Sequence, residues 1–223
     1  MLQNSTVKFL RDLKKNNDKS WFDAHRPAYE NAKEDFEQFI QTLIDKTGKK
    51  DETVRDLKAR QCTFRINRDV RFAKDKSPYK SNFGASIKMG GKKSPFAGYY
   101  FHLEPGDAFA GGGIWQPEPA DLKKIRQEID YNFDEFRKIV TAKKFKAVYG
   151  EIYKGTDVSL VKIPQGFEKD NPAAEFLRLK SFLGLRKLSD KDLVSKELVA
   201  KSAEAFEALQ PMLNFINRAL HPE

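Results

Sequence analysis

A single cysteine, Cys62, stands in a chain of 223 residues, so no disulfide can form within it. That usage is compatible with a reducing compartment. No stretch approaches the ~18 consecutive apolar residues that a membrane helix requires. The opening segment, Met1 to Arg11, breaks into charge too soon to hold the apolar centre of a signal peptide. A soluble, cytoplasmic protein with no membrane partner is the expectation. Histidine is also scarce: His25, His102 and His221 are scattered, and none lies at metal-ligand spacing. His102 with Glu104 and Asp107 has the chemistry for a metal, but side chains clustered at a hairpin turn read more simply as turn residues. No Gly-Lys-Ser/Thr, GxGxxG or GxSxG sequence occurs, so no named phosphate loop or nucleophile elbow is supported. No metal and no cofactor is expected. Fixed-period repeats and low-complexity linkers are missing as well.

What the chain does have is charge in one place. From Lys58 to Lys93 there are eleven Lys or Arg residues and two acids, Asp69 and Asp75. The remainder holds 30 of each sign, since 41 less 11 and 32 less 2 both equal 30, so the net charge of +9 belongs to this stretch. A protein that is neutral elsewhere and gathers cations in one segment has built a surface suited to an anion. Hydrophobic residues make up 39% of the chain, with eighteen phenylalanines spread from end to end, enough to build a substantial core.

The periodicities divide the chain into three parts. Residues 1–50 read as helix: Phe9, Leu10 and Leu13 form one short face, and Tyr29 to Ile44 recur at helical spacing after Pro27, with Gly48 as the expected C-terminal cap. Residues 61–116 read as sheet. Cys62, Phe64 and Ile66 alternate with polar neighbours, Ser86–Met89 runs into Gly90-Gly91, and Tyr99–Leu103 turns back through Pro105-Gly106 into a strand from Ala108 to Trp115. Residues 119–223 are mainly helical. A loop occupies 150–171, a strand spans Ser181–Leu188, and a last helix carries Phe206, Leu209, Leu213, Ile216 and Leu220 on one face, with Pro211 on the other expected to bend it. Helices, then strands, then helices, without strict alternation, predict a single α+β domain with an antiparallel, possibly mixed, sheet of four to six strands flanked by terminal helices.

If Thr63 to Phe72 were one strand, Phe64, Ile66, Val70 and Phe72 would line its core face, and Arg65, Asp69 and Arg71 its polar face. Arg68 alone would then point a charge inward, unless a bulge near Asn67 turns it toward its fellows, which is the less costly arrangement. Arginine forks bind carboxylates and phosphates through paired hydrogen bonds and stay charged at any working pH. The predicted anion-binding set is Arg65, Arg68, Arg71 and Lys76, with Asp69 orienting a guanidinium and Tyr79 adding a hydroxyl or a ring face. The partner would be an anionic small molecule or nucleic acid. Two alternatives stand beside it. One is an enzyme holding its substrate with the same arginines, for which Asp75, Tyr79 or His102 would supply the general acid or base. The other is an Arg/Asp network that merely pins a loop.

Three further features read as packing. Gly111-Gly112-Gly113 suggests relief of crowding beneath Trp115 and Tyr100 more than a phosphate cradle. Cys62, on the apolar face, reads as an inert thiol. Trp21-Phe22 reads as packing against the long helix.

The run Arg65-x-x-Arg68-Asp69-x-Arg71-Phe72-x-x-Asp75-Lys76-x-x-Tyr79 resembles the signature of a bacterial family of similar length, catalogued as a domain of unknown function, number twenty-four sixty-one. The resemblance extends through Tyr99-Tyr100, Gly111 to Trp115 and Leu179 to Phe182. It implies no reaction, cofactor or catalytic residue.

Overall fold

The computed structural model describes residues 1–221. Three helices open the chain: α1 (Asn4–Lys15), α2 (Lys19–Ala24) and α3 (Arg26–Thr47). Asp18 caps α2 by accepting from the Trp21 amide, and Pro27 occupies the first turn of α3, where its missing N–H costs nothing. Gly48 follows α3 but stays right-handed (φ −62°), so it is no left-handed cap. Its lack of a side chain serves a close approach instead, because a Cβ there would lie 2.7 Å from Arg55 Cα.

A 3-10 turn (Glu52–Val54) and α4 (Ala59–Cys62) lead into a sheet of β1 (Phe83–Ile87), β2 (Gly98–Leu103), β3 (Ala108–Ile114) and, much later, β4 (Phe182–Leu188). The strand order is β1-β2-β3-β4, antiparallel throughout. Between β3 and β4 lie α5 (Pro119–Tyr131), α6 (Phe133–Thr141), α7 (Lys143–Tyr149) and α8 (Ala174–Leu177). The short α9 (Asp190–Leu193) and the long α10 (Leu198–Leu220), which contains Pro211, close the fold. This is the α+β architecture expected, with a four-stranded sheet.

Strand alternation decides where the core sits. On β2, Tyr99, Phe101 and Leu103 are fully buried, whereas Tyr100 and His102 point to the other face and stay partly open. Phe101 meets Phe39 of α3 at 4.7 Å between ring centroids, and Tyr99 stacks on Phe206 of α10 at 4.8 Å. Each such ring contributes about 2–3 kcal/mol through removal of apolar area from water. The Tyr99 hydroxyl would be costly to bury alone, and it donates to Asp51 Oδ2 at 2.7 Å. One hydrophobic cluster reaches from Leu2 to Leu220.

The segment Thr63–Phe72 is not a strand. Only isolated bridges form, Thr63 to Ala85 and Asn67 to Tyr79. Cys62 and Ile66 are buried, but Phe64 is 39% exposed and Phe72 96% exposed. Local turn chemistry wins over the ladder: Asp69 Oδ1 accepts from the Arg71 amide at 3.3 Å, and Asp75 Oδ1 accepts from the Ser77 amide at 2.9 Å. Pro78 has no N–H to offer a neighbouring strand. Residues 63–80 therefore form an irregular loop tethered along β1 by Phe64 N–H to Gly84 O (3.0 Å) and folded on itself by Lys80 N–H to Ile66 O (2.8 Å). The ladder begins later than the sequence suggested, at Phe83.

The three glycines of β3 relieve crowding, as expected, though between strand backbones. A Cβ on Gly111 would stand 1.9 Å from the Gly184 carbonyl oxygen, and Gly112 and Gly113 hold φ of +142° and +127°, conformations that L-residues rarely adopt. Replacing Gly111 by Ala must push β4 off β3. A loss of about 3 kcal/mol or more is expected in chemical denaturation, and a G111A protein with unchanged stability would contradict this register.

Candidate functional site

The helix-covered face of the sheet leaves the opposite face as the floor of an open groove of about 920 Å³. Alternation again chooses the floor: Gly84 and Ser86 of β1, Tyr100 and His102 of β2, Phe109 of β3, and Leu183 and Leu185 of β4. The Phe64–Arg65 loop walls the β1 side, and Trp115 and Tyr153 lie along the far side. Aromatic groups run across the floor: Phe64 to Tyr100 at 6.4 Å, Tyr100 to Phe109 at 5.8 Å, and His102 stacked on Phe109 at 4.9 Å with planes 9° apart.

Cations cluster on the β1 side. Arg65, Lys80, Lys88 and Lys92 all line the groove, and among the described residues none of them reaches a carboxylate. Lys80 Nζ donates to the Arg65 carbonyl at 3.0 Å, and Lys92 Nζ to the carbonyls of Arg60 and Thr63. Lys80 and Lys92 also stand over the Phe64 ring at 5.7 and 5.9 Å. Burial lowers the pKa of Lys80, and the neighbouring Arg65 lowers it further; burial alone lowers that of Lys88. Acids line the groove as well: Glu104 and Asp107 by His102, and Glu118, Asp121 and Asp157 on the far rim.

Of the residues predicted from sequence, Arg65 reaches the groove, and the others sit on the loop beside it. Arg68 pairs with Asp75, and its backbone N–H donates to Pro78 O at 2.9 Å. It neither sits at a bulge nor enters the core, because there is no strand to bulge. Asp69 does orient a guanidinium: Arg71 Nε and Nη2 donate to its two oxygens at 2.9 and 2.6 Å. Lys76 Nζ bonds the Val70 carbonyl at 3.0 Å. Tyr79 is buried and stacks on Phe22 at 4.0 Å, with its backbone tied to the Asn17 side chain. The carboxyls of Asp69 and Asp75 lie below their ordinary values, held down chiefly by Arg71 in the first case and by Ser77 and Arg68 in the second. Cys62 is fully buried, and burial pushes its thiol up to about 11.

His102 was legible as a side chain at a turn, but its setting was not. Its Nε2 lies 3.3 Å from Glu104 Oε2, while Glu104 Oε1 accepts from Lys14 Nζ (2.9 Å) and Ser81 Oγ (3.0 Å). Among the described residues, no cluster of His, Cys, Asp or Glu is arranged to hold a metal. Burial lowers the pKa of His102 below its ordinary value, against the opposing pull of Glu104. Burial would raise Glu104, but the bonds from Lys14, Ser81 and His102 together outweigh it and leave it lowered. Because the folded state binds the His102 proton less tightly than the unfolded chain, stability is full above about pH 6.5 and falls as pH drops toward the folded pKa. In H102Q that segment of the stability–pH curve should flatten, as read by urea midpoints between pH 7 and 5; an unchanged slope would contradict the burial of a neutral imidazole.

A smaller cavity, about 340 Å³, lies between the end of β1 and α10. Asp51 and Tyr99 on its wall already satisfy each other.

No curated protein and no solved structure matches the chain. The family model of a conserved hypothetical protein, DUF2461, matches residues 5–215, which takes in every groove-lining residue described above, and the chain belongs to that family.

Proposed function

We propose that the protein binds a small phosphate-bearing or otherwise anionic ligand carrying a flat ring, in the groove on the open sheet face. The observation that carries this reading is the set of groove cations, Arg65, Lys80, Lys88 and Lys92, without carboxylate partners among the described residues and beside the rings of Phe64 and Tyr100. Cations held partly out of water without counter-charges are costly, and an incoming anion relieves that cost. The rings offer a stacking surface for a base or another planar group. The acids on the far rim disfavour a long polyanion laid across the groove, so a compact ligand is preferred over nucleic acid.

The loop cations predicted from sequence take a supporting part. Arg68 and Arg71 are already neutralised by Asp75 and Asp69, so Arg68, Asp69, Arg71, Lys76 and Tyr79 hold the shape of the loop that presents Arg65. Exposed pairs of this kind contribute at most about 1 kcal/mol. Arg68→Ala should therefore cost no more than that in denaturant melts.

Thermal unfolding with adenosine monophosphate tests the site. At a hundredfold excess over Kd a bound ligand adds about 2.7 kcal/mol, equivalent to a rise of roughly 5–10 °C in a protein of this size. The rise should vanish in the Arg65→Ala, Lys88→Ala double variant, persist in Arg71→Ala, and depend only weakly on salt. A shift that survives the double variant and disappears in Arg71→Ala would move the site to the loop. A steep loss with salt, matched by oligonucleotide binding, would make the ligand nucleic acid.

A further inference from the structure

Resting on that binding reading, we propose that the groove is also catalytic: a phosphate-ester hydrolase centre over Gly84, in which His102 is the general base and Tyr100 the proton donor to the leaving oxygen. Three independent features converge there. His102 and Gly84 are direct partners in the β1–β2 register, so their backbones stand one strand spacing, about 5 Å, apart, and both line the groove. Tyr100 leans over the same glycine, since a Cβ on Gly84 would lie 2.4 Å from Tyr100 Oη. On the opposite side of β1, the Phe64 amide bonds the Gly84 carbonyl at 3.0 Å, which brings up the ring flanked by Lys80 and Lys92. The missing side chain at Gly84 lets the Tyr100 hydroxyl reach the β1 position that pairs with His102, with the Phe64 ring and its two lysines alongside.

The protonation states suit these roles. Glu104, fixed by Lys14 and Ser81, holds one imidazole nitrogen and so leaves the other, Nδ1, as the proton acceptor when the ring is neutral. Burial keeps His102 neutral to lower pH and keeps the Tyr100 phenol protonated. The rings of Tyr100 and His102 are neighbours on the groove floor, 6.1 Å apart between centroids. Among the described residues the Tyr100 hydroxyl has no hydrogen-bond partner to surrender.

The step balances as follows. Water gives a proton to His102 Nδ1 as its oxygen bonds to phosphorus, and the bond from phosphorus to the ester oxygen breaks. Tyr100 protonates the departing oxygen, and the imidazolium then returns its proton to the Tyr100 phenolate. The products are an alcohol and phosphate. The groove cations hold the phosphoryl oxygens throughout. Glu104 acts through His102 and is a positioning residue.

Release of phosphate from phenyl phosphate and 4-nitrophenyl phosphate tests the proposal. His102→Gln should lower kcat on both by about 100-fold or more, while the melting shift with adenosine monophosphate survives. Tyr100→Phe should cost at least about tenfold more on phenyl phosphate than on 4-nitrophenyl phosphate, whose leaving group needs no acid. The groups facing His102 are Tyr100, Glu104, Asp107 and Lys187, with Lys14 reaching it through Glu104. With that surrounding, the wild-type rate should hold through the ordinary imidazole value of about pH 6.5 and fall only at lower pH, where the base protonates, and Glu104→Gln should displace this limb. Gly84→Ala, which displaces the Tyr100 hydroxyl, should reproduce the Tyr100→Phe pattern. If the wild type binds the nucleotide but hydrolyses neither ester above background, or if H102Q retains turnover, the catalytic proposal is overturned while the binding site stands. If the nucleotide gives no shift at all, both fall.

Discussion

The packing of β2 between two long helices is the contact on which everything else depends. Phe101 fills the space beside Phe36 and Phe39 of α3, and Tyr99 lies flat on Phe206 of α10. Because strand side chains alternate strictly, committing Tyr99, Phe101 and Leu103 to the helices commits Tyr100 and His102 to the other face. A register slip of one residue would exchange the core for the groove floor. The same constraint carries across the sheet, where Ala85 and Ala110 pair with Phe101 on the buried face, and Gly84 and Phe109 pair with His102 on the open one.

Small residues then decide how closely the strands and side chains can approach. Gly111 and Gly113 let β3 and β4 meet where any side chain would strike a carbonyl, and Gly84 makes room for a tyrosine hydroxyl. In β3 the absent side chain serves backbone packing, and in β1 it serves a side chain, that of Tyr100. This is also why the glycine run before Trp115, which has the look of a phosphate cradle, belongs to the sheet.

Electrostatics follows from the scaffold in two tiers. On the 68–76 loop Arg68 and Arg71 meet acids of the same loop, so their charge is spent locally, and Lys76 meets its carbonyls. Those lining the groove meet only carbonyl oxygens, or no acceptor at all, among the described residues. A surplus of nine charges does not reveal this division, since it counts cations without regard to which of them stand near Asp69 and Asp75.

Much of the architecture could be read from the chain itself. The last helix, the α3 face from Ala32 to Ile44, the hairpin through Pro105-Gly106 and the strand ending at Leu188 all carry period and turn signals strong enough to stand alone. The burial of Cys62 was legible too. The segment after Cys62 was misleading because alternation over Phe64, Ile66 and Phe72 is only a pattern; whether a ladder forms depends on a partner strand and on apolar surface to meet those rings, and the fold supplies neither to Phe72. His102 shows the same limit from the other direction. Its sequence neighbours mark a turn, whereas its chemical neighbours are Lys14 and Ser81 through Glu104, Gly84 across the ladder, and Phe109 beneath. Local periodicity determined the elements and the stretch that carries the charge. Only long-range strand pairing, which joins residues distant in the chain, decided which of those charges and rings share one groove.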